Sequence, residues 1–123
     1  MIVNKEVKKR DGYIDFKVEG VFENSNFNKE LIELFYKIED SAFKYNCTKV
    51  LLDAKDLDYN INDFDRYRIG EMIASFYKKN FIRIACLRCK DIINDFTEVV
   101  AYNRGAYFKF FNNKKEAINW LKK

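Results

Sequence analysis

Apolar and charged residues alternate strictly from Tyr13 to Glu19 (Tyr-Ile-Asp-Phe-Lys-Val-Glu). A period of two is the pattern of a strand with one face buried. Asp11-Gly12 precedes it and supplies the positive φ angles of a tight hairpin turn. Val3 to Lys9 is then the partner strand, rich in lysine as suits an exposed edge that must resist pairing with other chains. From Phe27 the period lengthens. Phe27, Leu31, Leu34, Phe35, Ile38, Ala42 and Phe43 fall on one helical face, with Asn26 or Asn28 as the cap. Lys49-Val50-Leu51-Leu52-Asp53 is a short apolar run of the central parallel type, and Ala54 to Ile61 reads as a polar loop. Asn62 and Asp63 open a second helix that turns Phe64, Ile69, Met72, Ile73 and Phe76 inward. Phe81 to Leu87 is a further strand. A third helix is expected from about Asp91 to Asn103, with Phe96, Val99 and Val100 as its apolar face and Gly105 as its stop. Ala106 to Phe111 is the last strand. Asn113 with Glu116 three residues on has the form of a capping box, opening a short helix that carries Ala117, Ile118, Trp120 and Leu121.

The order is β-β-α-β-α-β-α-β-α. Alternating strands and helices imply right-handed parallel crossovers, with the first strand antiparallel. The expectation is an α/β fold with one five-stranded, mostly parallel sheet and four helices. The chain of 123 residues contains no proline, and no linker or repeat divides it, so a single domain over 1–123 is expected.

Composition narrows the function classes. The chain has no histidine, which removes the side chain best suited to proton transfer near neutral pH and the commonest metal ligand. Its 23 basic residues are interleaved with 19 acidic ones for a net charge of +4. Nucleic-acid binders concentrate charge more than this, so nucleic acid is not expected as a partner. No apolar run approaches the length of a transmembrane helix, and no signal sequence is visible at the N-terminus. With three cysteines, Cys47, Cys86 and Cys89, a reduced cytoplasmic setting is the natural reading.

Three stretches carry a resemblance. They are Phe16-Lys17-Val18-Glu19-Gly20 leading into the first helix, Val50-Leu51-Leu52-Asp53, and Gly105 to Phe111 followed by Glu116-Ala117-Ile118-Asn119-Trp120-Leu121. In order and spacing they resemble the SpoIIAA-like fold of STAS domains, and in particular the SpoIIAA-like bacterial proteins. The resemblance implies an aspartate, Asp53, at the end of the central strand, and a closing helix with an EA-x-x-WL pattern. Anti-sigma-factor antagonists of this type present a phosphorylatable serine at the start of the second helix. Here that region is Tyr59-Asn60-Ile61-Asn62-Asp63-Phe64-Asp65, without Ser or Thr, so a serine phosphoswitch is not supported. Asn62 and Asp63 either cap the helix or mimic a permanently charged state at its N-terminus.

Other candidate chemistry has simple structural readings. Cys86-Leu87-Arg88-Cys89 is a C-x-x-C, but a zinc site needs a second pair. Residues three apart on a strand point to opposite faces, which is poor disulfide geometry. Asp53, Asp56, Asp58, Asp63 and Asp65 lack the spacing and closing glutamate of a calcium loop. The aromatics of Tyr107 to Phe111 read as core, and Arg66, Arg68, Lys78, Lys79, Arg83, Arg88 and Lys90 as a solvated face. No nucleophile, base and orienting group can be assembled, so no catalytic activity, metal or cofactor is expected. The expected function is a non-catalytic, protein-binding regulatory module. Its partner would meet the carboxyl ends of the strands, at Asp53, Asp56, Tyr59, Asn62, Asp63, Arg88 and Asp91. The alternative, drawn from the resemblance, is a small apolar ligand or lipid held between sheet and helices near Phe64, Tyr67 and Phe76. The chain is expected to be a monomer or a weak dimer.

Overall fold

The structure, a computed structural model, describes residues 2–22, 27–59, 63–88 and 105–123; of residues 22, 27, 28, 59, 63 and 66 it describes the backbone alone. Among the described residues it comprises β1 (Ile2–Lys9), β2 (Ile14–Phe22), α1 (Phe27–Tyr45), β3 (Lys49–Tyr59), α2 (Asp63–Asn80), β4 (Arg83–Leu87), β5 (Phe108–Phe111) and α3 (Lys114–Lys122). The strands form one sheet in the order β1-β2-β3-β4-β5. β1 is antiparallel to β2, and every other pair is parallel. The five-stranded mixed sheet is as the sequence predicts. Three helices lie among the described residues; the one expected over 91–103 lies outside them.

Sequential parallel neighbours joined by right-handed crossovers place their connecting helices on one face of a sheet. α1 and α2 accordingly share one apolar cluster with the inward residues Ile14, Phe16 and Val18 of β2, Val50 and Leu52 of β3, and Ile84 and Cys86 of β4. α3 follows the last strand and closes the opposite face, where Ala117 and Leu121 pack on Tyr13, Leu51, Ala85, Leu87 and Phe111. Leu51 and Leu52 thus serve different cores, because successive side chains of a strand point to opposite faces. Asn113 caps α3 by accepting a 3.1 Å bond from the Glu116 amide.

Two irregularities keep the pattern in register. The β1/β2 register shifts between Asn4 and Glu6, so that both Ile2 and Val7 reach the core despite their odd spacing. The β2/β3 register shifts between Lys17/Asp53 and Glu19/Asp56. There β3 gains a residue, and the buried series Val50, Leu52, Ala54 continues with Leu57. The segment expected as a polar loop from Ala54 is therefore strand as far as Tyr59. The alternation that the eye follows is broken by the bulge, and pairing with Gly20, Val21 and Phe22 keeps the backbone extended.

Some predicted inward residues face out. Phe43 and Phe64 are both exposed. On α1, Leu31, Leu34, Ile38 and Ala42 already fill the arc that meets the sheet. α1 begins at Phe27, so Asn28 lies inside the helix rather than at its cap, and Asn26 lies outside the described residues.

Candidate functional site

The parallel strands end at one edge of the sheet, but not at one level. Asp53 of β3 is level with Leu87, the last residue of β4, and Leu87 with Phe111, the last residue of β5. β2 and β3 run on past that level as a two-stranded ribbon, pairing Gly20 with Leu57 and Phe22 with Tyr59. The result is a step. Its floor is the end of β4 and β5, and its wall is the ribbon.

The bulge sets the chemistry of the step. Asp53 is 7% exposed, and its Oδ1 accepts a 3.3 Å bond from the Lys55 amide, so the side chain supports the backbone that bends there. Arg88, one residue beyond β4, is 3% exposed. Its amide donates to the Phe111 carbonyl at 2.9 Å, and its guanidinium lies 5.3 Å from the centre of the Phe110 ring. Both charges act on Cys86, the inward residue between them. Burial pushes the Cys86 thiol up to about 12; the Arg88 cation opposes the shift and the Asp53 carboxylate adds to it. Cys86 is thus a protonated core side chain and no nucleophile near neutral pH. Cys89 lies outside the described residues.

The expected site residues separate into groups. Asp53 and Arg88 come together at the step, where both are buried rather than solvated. Arg88 leaves the expected solvated basic face because the strand directs it inward, in phase with Ile84 and Cys86. Asp56 is exposed on the ribbon, with the Lys17 ammonium 3.8 Å away, and Tyr59 ends the ribbon. Asp63 is the first residue of α2, two positions before the buried Asp65, in the turn where a helix favours carboxylates. Asn62 and Asp91 lie outside the described residues.

Of Phe64, Tyr67 and Phe76, expected around a pocket between sheet and helices, Phe76 lines a groove among the described residues. Phe76 is buried and stacks on Phe35 with ring centroids 4.9 Å apart. Phe64 and Tyr67 face solvent. This open groove of about 520 Å³ runs between α1 and α2 on their outer side. Ile32, Phe35, Tyr36, Met72 and Phe76 line it, with Glu39, Arg68, Glu71 and Lys79 also on its wall. Sequence reasoning missed this groove because it placed Phe76 against the sheet alone. Ile32 and Tyr36, four residues apart on the outer face of α1, were the available signal. No group of three or more Cys, Asp or Glu side chains converges on a metal-sized space among the described residues.

A family model for SpoIIAA-like proteins matches residues 13–122. The chain belongs to the SpoIIAA-like family. No curated protein shows a significant match to it. Two solved structures place the SpoIIAA-like chain among its fold relatives. An uncharacterised protein of the DUF3478 family with a SpoIIAA-like fold, from Shewanella loihica, is 23% identical, with 98% of this chain and 93% of that one covered and a TM-score of 0.55. An anti-sigma factor antagonist from Mycobacterium paratuberculosis is 10% identical, with 100% and 96% covered and a TM-score of 0.63. At these identities the two structures establish a shared fold, which is that of the STAS domains. No described helix is long and apolar enough to cross a membrane.

Proposed function

We propose that this SpoIIAA-like chain is a non-catalytic regulatory module that binds a protein partner at the step formed by the carboxyl ends of its strands. The observation that carries the reading is the fold shared over the whole chain with an anti-sigma factor antagonist. The step supports it physically. Buried Asp53 and Arg88 fix its floor, while Asp56 and Asp58 stand exposed on the ribbon above. A floor of buried charges under exposed polar groups suits recognition of a surface, and the described thiol beside them, Cys86, is kept protonated by burial. Tyr59 to Asp65 contains no Ser or Thr, so the reading includes no serine phosphoswitch in that segment, and it counts Asn62 and Asp63 among the partner-binding residues. A cytoplasmic setting and a monomeric or weakly dimeric state complete the proposal.

The test places a photo-crosslinking residue at position 56 or 58, and as control at exposed Lys44, beyond the opposite end of the sheet. A defined protein captured in the source cell from 56 and 58 but not from 44 supports the reading. Capture from 44 alone, or from neither ribbon position, overturns it.

The second reading, a small apolar ligand or lipid, draws support from the α1/α2 groove and its five apolar lining residues. Native mass spectrometry of the freshly purified protein tests it. An adduct lost on denaturation and absent from an Ile32→Glu variant supports ligand binding; a clean apo mass removes it.

A further inference from the structure

The amino end of the sheet carries features that the partner-binding edge does not use. All three described helices return toward that end, and each brings lysine to its last turn: Lys44 on α1, Lys78 and Lys79 on α2, and Lys122 on α3. Lys123 lies there too, its carbonyl accepting a 2.9 Å bond from Arg83 Nη1. Lys79 is partly offset by Glu39 at 3.7 Å. Within this basic rim, Phe81 is 66% exposed and Tyr107 49% exposed.

Phe81 is displayed at a conformational cost. It follows α2 with φ +55°, and its amide donates to the Tyr77 carbonyl at 2.6 Å, the hydrogen bond of a left-handed helix cap. That position belongs to glycine or asparagine; a bulky side chain there is an outlier. α1 ends in the ordinary way, with Asn46 at φ +48°. Behind Phe81 the rings continue through Tyr77 and Tyr107 to Trp120, with centroid separations of 5.7, 5.7 and 6.4 Å. Arg83 lies 4.6 Å from the centre of the Tyr107 ring. A strained backbone thus holds an apolar ring out into water, on a base of packed aromatics.

We infer that this end of the molecule docks on an anionic lipid bilayer, with Phe81 inserted at the interface, Tyr107 at headgroup depth, and the lysine rim on the lipid charges. The composition of the rim selects this occupant. Protein interfaces are depleted in lysine, and specific carboxylate recognition uses the arginine fork. Here the cations are lysines on flexible stems, suited to a smeared negative surface, and Arg83 is engaged with Tyr107 and Lys123. The apolar element protrudes, as an interfacial anchor does.

Co-sedimentation of the full chain with phosphatidylcholine vesicles, with and without phosphatidylserine, tests the inference. Binding is expected to the mixed vesicles, weakened by salt and lost without phosphatidylserine. Lys78→Gln and Lys122→Gln should each lower partitioning by about five-fold. Phe81→Gly and Phe81→Ala should both lower it about ten-fold or more, since both remove the ring. The Gly variant, which suits the left-handed backbone, should melt above the Ala variant, showing that lost binding is not lost folding. Equal binding to both vesicle types, no binding to either, or wild-type binding by Phe81→Gly overturns the inference. Retention on immobilised polyglutamate without vesicle binding also overturns it and assigns the face to an acidic protein segment.

Discussion

At the carboxyl end of the sheet the charged side chains Asp53 and Arg88 are buried; at the amino end the large rings Phe81 and Tyr107 are exposed. Each end inverts the usual partition of polar and apolar groups, and the local backbone shows how. At the carboxyl end a β-bulge turns Asp53 back onto the amide of Lys55. At the amino end a left-handed cap turns Phe81 away from the core that holds its neighbour Ile82. Between the ends, Phe16, Ile14, Leu51 and Ile84 are fully buried and follow the ordinary rule. The difference teaches that the middle of the sheet follows the ordinary partition of polar and apolar groups and that local backbone irregularities reverse it at the two ends.

The middle supplies the scale against which the ends are judged. Phe16→Ala should cost about 3–5 kcal/mol in chemical denaturation, because the ring is fully enclosed between sheet and α1. A smaller cost would mean that the core is less closed than the ends require. Just below the step, Cys86 should make stability fall in alkali. The folded chain keeps the thiol proton up to about 12, whereas the unfolded chain releases it above 9.0, so rising pH favours unfolding in that window. Wild type should lose about 1.4 kcal/mol per pH unit there relative to Cys86→Ala. Parallel curves for the two proteins would contradict the buried thiol.

At the step itself, Asp53→Ala should destabilise by about 1–2 kcal/mol, since the Lys55 amide loses its acceptor. Asp53→Asn, which keeps an acceptor oxygen, should recover most of that. Asp56→Ala, exposed beside Lys17, should change stability by less than about 0.5 kcal/mol. Equal effects at 53 and 56 would erase the distinction between floor and ribbon. At the amino end, Phe81→Gly should exceed Phe81→Ala in stability by about 1 kcal/mol in thermal melts. The opposite order would show that the cap is unstrained.

Much of the fold was legible in the sequence. The hairpin at Asp11-Gly12, the helical spacing of Leu31, Leu34 and Ile38, and the Asn113 cap each rest on local chemistry that the chain writes out within a few residues. The site was legible in part. Asp53 and Arg88 were identified as edge residues, but their burial was not, because burial depends on a bulge formed with β2 and on a strand phase shared with Cys86. The extension of β3 to Tyr59 was hidden for the same reason: Lys55, Asp56 and Asp58 look like loop until Gly20 to Phe22 are seen to pair with them.

By itself the sequence determined the α/β order, the antiparallel first strand, the lysine-rich edge and the lack of histidine, because propensity, periodicity and composition are properties of neighbouring residues. Only the tertiary structure decided which charges gather. Lys44, Lys78, Lys79, Lys122 and Lys123 lie in separate segments interleaved with acids, and they come to one end of the sheet because parallel strands oblige each described helix to return there. The same obligation sets Phe81 and Tyr107 side by side there, and leaves Asp53 and Arg88 at the other end as the fixed floor of an edge.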